Sequence, residues 1–546
     1  MEKNQTVKLN IENVGMNGEG VSRLDGEVVF VKNALPGETC FAKILCVKKK
    51  FCYAVATAIT SKPSPVRTTP VCPAFGKCGG CTLQHVSYEY QLALKRQNVE
   101  SAFKKAGMPV VVSPTAESDK TLRYRNKMSL PVGQKDGKPV VGLYAFNSHR
   151  IVETDDCLLQ PDWNKTVIAV FKKFLSRSGY KGYDELKGSG DIRHLVVREV
   201  AGKLCISVVA TKNIDLSAFA ALLKGKFADF LLYLNINKNN NNVILGDEWK
   251  LVCGNENAVD VDGLKIFVHP AGFFQVNDYI RSRIYEKVRE IVKNASAKIV
   301  IDAYSGAGIM TAMLAGVTTE VIGIEINREA TESAKKLARD NGINNMTAIL
   351  GDVKDVLPSL KDKAEGCLIV LDPPRSGCDP MVLQSVKDFA PETLVYVSCN
   401  PATLARDCKI LSDKYDISEV QPFDMFPMTD HVETLVVLSK KIPDSHINID
   451  VEFGEGEGQF SLKKIKERAD ERKPKEKVTY KMIQEYIEQT YGFKVHTAYI
   501  AEVKRDVGLP MYDAPNAVEE LKRPRAHPTP RMVEAIKETL KHFEII

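Results

Sequence analysis

Three different rhythms of apolar and polar residues succeed one another along this chain. Over the first sixty residues, short apolar-rich stretches at 7–11, 27–31, 39–44 and 52–56 alternate with the turn-forming runs Asn17-Gly18-Glu19-Gly20 and Leu35-Pro36-Gly37-Glu38. Short strands broken by such turns predict a small, closed, OB-like β-barrel. Residues 61–70 are rich in Pro and Thr and read as a linker, and a helix is predicted over 88–106. Strand and helix patterns then mix from about 120 to 265, with the polar run 237–242 as a turn between strands.

From residue 280 the rhythm changes. A helix over 279–293 precedes continuous apolar runs at 299–301, 321–325, 367–371, 394–398 and 435–439, with helical segments between them. Strands that are apolar throughout are buried on both faces, so this part predicts a doubly wound, mostly parallel α/β sheet. Beyond residue 441 charges of both signs crowd the chain, and helices follow at 480–491 and 531–543. The expected organisation is a barrel over 1–60, a linker with a cysteine cluster over 61–90, a mixed α+β domain over 91–270, a Rossmann-like domain over 271–440, and a charged linker with a small helical module over 441–546.

Composition narrows the picture only a little. The chain of 546 residues is 44% hydrophobic and 26% charged, ordinary for a water-soluble protein, and its formal charge of +6 is a weak pointer to a polyanionic partner. No apolar stretch approaches the ~20 residues that cross a bilayer, and the N-terminus lacks an apolar leader core, so a cytoplasmic protein is expected. Thirteen cysteines then imply thiols, metal ligation or catalysis rather than a disulfide framework. Two basic segments suit an RNA backbone: Lys48-Lys49-Lys50 on a barrel loop, and Arg123-Tyr124-Arg125-Asn126-Lys127. Each reads equally well as a solvated edge.

Candidate chemistry gathers at the ends of the predicted parallel strands, where ligands bind in such sheets. The first strand leads into Asp302-Ala303-Tyr304-Ser305-Gly306-Ala307-Gly308, a turn whose glycines let the backbone approach a ligand. Glu325 ends the second strand, Asp352 closes the third, and Asp372-Pro373-Pro374-Arg375 ends the fourth. Acidic residues at successive strand ends suit a nucleoside carrying a sulfonium better than a dinucleotide with a pyrophosphate, which favours S-adenosylmethionine over NAD.

The fifth strand ends at Cys399-Asn400-Pro401, pointing a thiol at the same crevice. C5 of uracil is too weak a nucleophile to attack a sulfonium unaided. A thiolate added at C6 makes C5 an enolate carbon, and a base must later remove the C5 proton. Cys399 suits the first role, and a nearby Arg375 would raise its thiolate fraction. Glu433, in Thr429-Asp430-His431-Val432-Glu433, suits the second, with His431 as the rival base. Arg375 stands where amino-group methylases often have an aromatic residue. Cys378 is displaced by three positions from the second cysteine of cytosine-C5 RNA methylases. Both departures favour uracil.

The run Ser398-Cys399-Asn400-Pro401-Ala402-Thr403-Leu404-Ala405-Arg406-Asp407, with Phe274-Gln275-Val276-Asn277 and His431-Val432-Glu433, resembles the bacterial 23S rRNA uracil-5-methyltransferases over about residues 1–440. The barrel is similar to their TRAM domain. The resemblance implies S-adenosylmethionine contacts at Gln275, Tyr304, Glu325, Asp352 and Asp372, a nucleophile at Cys399, a proton-abstracting base at Glu433 and a base-stacking aromatic at Phe273. It further implies a [4Fe–4S] cluster on Cys72, Cys78, Cys81 and Cys157; spacing alone leaves zinc open. Ile309 replaces a polar cofactor contact of some relatives, and the tail after 440 lies outside the likeness. The implied partner is 23S rRNA, bound by a monomer. The alternatives are the same chemistry on tRNA, an inactive RNA-binding relative, and an iron–sulfur redox enzyme, for which no second redox motif appears.

Overall fold

The computed structural model describes residues 2–270, 272, 274–441, 480–507 and 527–543. Its first sheet has six strands, β1 (Thr6–Asn10), β2 (Asn13–Val14), β3 (Gly20–Leu24), β4 (Glu27–Lys32), β5 (Thr39–Val47) and β6 (Phe51–Ile59), in the order β1-β5-β6-β4-β3-β2. The Glu12 N–H, between β1 and β2, donates to the Val21 carbonyl of β3, so the chain leaving β1 pairs with the far side of the same sheet. β5 alternates buried and exposed residues along its length, and its inward Cys40, Ala42 and Ile44 meet Val29, Val31 and Cys52 in the barrel core. Lys48 and Lys49 lie on the exposed β5–β6 turn.

Helix α1 (Tyr88–Lys105) leads to a second sheet with order β13-β12-β11-β10-β7-β8-β9. Its strands are β7 (Lys127–Lys135), β8 (Lys138–Tyr144), β9 (Ile151–Glu153), β10 (Ile192–Val200), β11 (Lys203–Ala210), β12 (Phe230–Ile236) and β13 (Glu248–Cys253). Helices α2 (Trp163–Ser178) and α3 (Ser217–Lys224) cover one face through Phe171, Phe174 and Phe219. The hairpin β14 (Val259–Val261) with β15 (Leu264–Ile266) packs against Cys205, Leu231 and Tyr233 on the other.

After α4 (Asp278–Asn294) comes the third sheet: β16 (Ile299–Ala303), α5 (Ile309–Ala315), β17 (Glu320–Glu325), α6 (Arg328–Asp340), β18 (Met346–Leu350), α7 (Val353–Ser359), β19 (Cys367–Leu371), α8 (Pro380–Phe389), β20 (Thr393–Ser398), α9 (Pro401–Leu411), β21 (Tyr415–Phe423) and β22 (Glu433–Lys440). The order is β18-β17-β16-β19-β20-β22-β21, with β22 antiparallel to both neighbours and the first five strands parallel. β19 is buried at every position, as a strand covered on both faces must be. α4 and α5 cover one face through Ile284, Val288 and Leu314.

The opposite face holds a surprise of connectivity. Val99, Ala102 and Phe103 of α1 pack into the same core as Leu371, Tyr396, Leu404 and Val436. The sequence boundary at residue 91 therefore cuts through a packed layer, because a helix far upstream supplies part of the Rossmann-like core. α1 also carries Lys95, which is fully buried and paired with buried Asp424, and donates to the Phe426 carbonyl at 3.0 Å. Lys95→Ala strands a buried carboxylate and is expected to cost about 3–5 kcal/mol in urea unfolding, whereas Lys95→Met with Asp424→Leu should restore most of it.

The described residues after 445 belong to a separate compact unit. Its helices α10 (Tyr480–Tyr491), α11 (Thr497–Asp506) and α12 (Pro530–His542) share a core of Ile483, Ile487, Ile500, Val503, Ile536 and Leu540. α11, not anticipated from the sequence pattern, completes that core. No helix among the described residues is long and apolar enough to cross a membrane.

Candidate active site

The register of the third sheet brings the site together. β16 is aligned with its neighbours so that Ala303 lies beside Ile324 and Leu371, which sets Tyr304 and Asp372, each just past its strand, beside Glu325, the last residue of β17. On the other side, Ser398 of β20 faces Thr434 of antiparallel β22. One step onward in β20 and one step back in β22 therefore makes Cys399 the neighbour of Glu433. A cavity of about 760 Å³ opens over these strand ends, within the range of small-molecule sites, and Gln275, Tyr304, Glu325, Asp352, Asp372, Cys399 and Glu433 all line it. Phe273 lies outside the described residues.

At the glycine turn the backbone is left-handed at Tyr304, Gly306 and Gly308, with φ of +68°, +56° and +80°. A side chain at Gly308 would collide with Ala334 and Met346, at 2.7 and 2.8 Å from its Cβ, so only glycine lets α5 start against α6. The turn is held by Glu325, which accepts from the Gly306 N–H at 3.0 Å and the Asn327 N–H at 2.7 Å. Beneath it Asp302 is fully buried, accepts from the Thr311 hydroxyl at 2.5 Å, and has its carboxyl pushed up to about 7, chiefly by burial. Asp352 does not end a strand: β18 stops at Leu350, and Asp352 caps α7 by accepting from the Lys354 N–H at 3.2 Å.

Gln275 is placed from the second sheet. Its carbonyl accepts from Asn126 Nδ2 at 2.9 Å, the Asn126 N–H donates to the Val276 carbonyl, and Asn277 caps α4. The basic segment 123–127 is thus largely structural: Arg123 pairs with Asp156, Tyr124 is buried with its hydroxyl on the Pro427 carbonyl, and Asn126 orients Gln275. Arg125 is the member that lines an open groove.

Electrostatics distinguish the reacting groups. Glu433 is only 4% exposed, and burial together with neighbouring Asp372 raises its carboxyl well above the ordinary range, with Arg375 opposing. The Asp372 carboxyl is itself pushed up to about 7 by burial and by Asp302. Arg375 does reach Cys399, and its charge and hydrogen bond favour the thiolate. Burial and Glu433 outweigh it, however, so the thiol stays above its usual range instead of below it. Such a site has a nucleophile, a buried acceptor for a proton, and carboxylates that favour a cation between them.

The residues after Cys399 serve mainly to hold this geometry. Asn400 caps α9 and donates to the Arg375 carbonyl at 2.9 Å, which Thr403 also reaches at 3.2 Å. Arg406 donates to the Ser376 carbonyl, and Asp407 accepts from the Cys378 N–H and the Tyr396 hydroxyl at 2.8 and 2.7 Å. Cys378 is buried in the core, away from the cavity. The motif pins the Arg375 loop beside the thiol.

A second cavity of about 550 Å³ adjoins the first, sharing Arg375 and Phe426 with it. Lys32, Arg125, Phe146 and exposed His431 line it, so His431 faces this outer groove and Glu433 the inner cavity. Cys72, Cys78, Cys81 and Cys157 converge on a further cavity of about 30 Å³. Gln84 Nε2 donates to Cys81 Sγ at 3.2 Å and the Gly80 N–H to Cys78 Sγ at 3.3 Å, the kind of support thiolate ligands receive. Among the described residues no three Cys, His, Asp or Glu side chains stand as a preformed ion site. The four thiols fit a cluster or ion by donor chemistry, not as a finished cage.

Sequence reasoning missed two contributors. Ile326, 66% exposed and directly after Glu325, lines the main cavity; an apolar residue following an acidic strand end was the available signal. Lys95, inside α1, gave none.

Residues 199–441 match the tRNA (Uracil-5-)-methyltransferase family model and residues 1–57 the TRAM domain. The chain is 37% identical to an uncharacterised RNA methyltransferase of Halalkalibacterium halodurans over 452 residues, covering 81% of this chain and 98% of that one. With one of Listeria innocua it is 38% identical over 451 residues, 81% and 99% of the two chains. Among solved structures it is similar to the Pyrococcus abyssi tRNA (uracil-54, C5)-methyltransferase in complex with S-adenosyl-L-homocysteine, at TM-score 0.65 and 29% identity, covering 79% of this chain and 99% of that one.

Proposed function

Since this chain belongs to the family of RNA uracil-5-methyltransferases, we propose that it methylates C5 of a uridine in 23S ribosomal RNA, with S-adenosylmethionine as donor. The observation that carries this reading is the Ser398–Thr434 register, which makes Cys399 and Glu433 neighbours at the edge of a cavity whose other wall is acidic.

Gln275, Tyr304, Glu325, Asp352 and Asp372 hold the donor, which supplies a methyl group on a sulfonium. Asp372 and Glu433, both held towards their neutral forms by burial, become more acidic when a cation lies between them. The target uridine leaves its stack to reach the cavity, and Phe273 packs on it. The Cys399 thiolate then adds to C6, and the electron pair of the C5=C6 bond is delocalised onto C5 and O4. C5 takes the methyl, S-adenosylhomocysteine is left, and the Glu433 carboxylate removes the C5 proton. The pair so released rebuilds C5=C6 and expels the thiolate.

Cys72, Cys78, Cys81 and Cys157 hold a [4Fe–4S] cluster, with zinc as the alternative occupant. Such a group here ties chain segments together rather than moving electrons, because methyl transfer is redox-neutral. The enzyme acts in the cytoplasm as a monomer.

The reading of ribosomal RNA draws on the resemblance of the TRAM barrel and cysteine set to the bacterial 23S rRNA enzymes. The second reading, tRNA, draws on the Pyrococcus abyssi enzyme, which acts on tRNA and aligns over 99% of its own length. Mapping 5-methyluridine in a deletion strain separates them. Loss at one or more 23S positions with tRNA unchanged is expected; loss confined to tRNA would sink the ribosomal assignment.

A further inference from the structure

The segment 424–432, which joins β21 to Glu433, is a strap whose position is set from far upstream. The Thr82 and Leu83 N–H groups both donate to the Met428 carbonyl, at 3.1 and 3.0 Å. The Thr82 hydroxyl donates to Asp430 Oδ1 at 2.8 Å and accepts from the Asp430 N–H at 2.9 Å, across 348 positions of sequence. Fully buried Gln91 accepts from the Met428 N–H at 3.1 Å and donates to the Leu83 and Val86 carbonyls. With Lys95 on the Phe426 carbonyl and Tyr124 on that of Pro427, the strap's polar backbone is satisfied largely by residues outside its own sheet.

Thr82 directly follows Cys81. Two residues further on, Gln84 accepts from the Cys72 N–H and donates to Cys81 Sγ, both at 3.2 Å. An unbroken chain of contacts therefore runs from the converging thiols through Thr82 to Asp430, and on to Phe426, His431 and Glu433. Met428 sits in the strap with φ of +66°, a conformation that a non-glycine residue keeps only when its surroundings hold it.

We infer that Thr82 and Asp430 are positioning residues through which the cysteine loop holds Phe426 and Glu433 in reacting register. This rests on the methyltransferase reading above and adds to it a task for the cysteine loop. Neither residue touches the reacting atoms: neither lines the inner cavity, whereas Phe426 and Glu433 both do. The two hydrogen bonds of the Thr82 hydroxyl are the part of the clasp that one substitution can remove without changing side-chain volume.

The test compares wild type with Thr82→Val, Thr82→Ser and Cys81→Ser, all in the full chain as purified with its iron and sulfide content assayed. Amide hydrogen exchange is followed across 424–432, and single-turnover methyl transfer is measured on ribosomal RNA from the deletion strain. Thr82→Val should keep wild-type iron content, exchange faster within the strap alone, and transfer methyl about 10- to 100-fold more slowly at saturating RNA. Thr82→Ser should restore both, and Cys81→Ser should loosen the same strap amides. Wild-type strap exchange in Thr82→Val or in Cys81→Ser, or faster exchange spread evenly over the barrel, overturns the inference. If the wild-type enzyme itself transfers no methyl to any RNA, the functional reading falls, while the exchange measurements still decide the clasp.

Discussion

Cys399→Ala is expected to reduce methyl transfer by more than about 10⁴-fold while leaving RNA affinity within a few-fold of wild type. The size of the effect follows from the chemistry. Without addition at C6, C5 of uracil has no enolate character, and no neighbouring group in the cavity can create it. RNA affinity is expected to survive because the outer groove, lined by Lys32, Arg125 and Arg375, does not include the thiol. Electrophoretic mobility shift and single-turnover methylation with radiolabelled donor measure the two quantities on the same preparation. Turnover within tenfold of wild type would remove Cys399 from the reaction.

Glu433→Gln should behave differently, and the difference is diagnostic. Addition and methyl transfer precede proton removal, so the variant should complete them and stall. Turnover should fall by about 10²- to 10⁴-fold, as for loss of a positioned base. RNA covalently joined to protein should accumulate, visible as a slow-migrating band on denaturing gels. Lost turnover without any such band would assign the base elsewhere, with His431 the first candidate. The pH profile carries the same signature. A base works in its deprotonated form, and burial beside Asp372 raises the Glu433 carboxyl. The wild-type rate of adduct resolution should therefore climb as pH rises through that carboxyl's titration, and the climb should be absent in Glu433→Gln. Adduct formation should also rise with pH in both proteins, because burial raises the Cys399 thiol in each, with Glu433 adding to the effect in the wild type alone. Measuring the two steps separately distinguishes the limbs.

Two of the corrections concern position in space, not residue type. Arg375 was expected to favour the Cys399 thiolate, and it does touch the thiol. Whether it wins depends on how much water the thiol has lost and on the Glu433 charge next to it, and neither can be read from a linear distance of 24 residues. The boundary at residue 91 failed for a related reason. The buried face of α1 mixes Gln91 and Lys95 with Leu94, Val99 and Phe103, so the helix carries no plain apolar stripe, and nothing in it says which of two sheets covers it.

What the amino-acid order determined by itself is local and repetitive. Uninterrupted apolar runs required strands buried on both faces, turn residues separated the barrel strands, and Tyr304–Gly308 and Cys399–Pro401 marked where strands stop and a ligand can approach. Those signals are contained within ten or so residues and depend only on backbone preference and side-chain burial. Tertiary structure alone decided which strand ends meet. The antiparallel insertion of β22 beside β20 makes Glu433 the neighbour of Cys399, and the clasp from Thr82 to Asp430 joins points 348 residues apart. Contacts of that range arise from the simultaneous packing of several layers, so their partners are fixed by the whole core and by no segment of it.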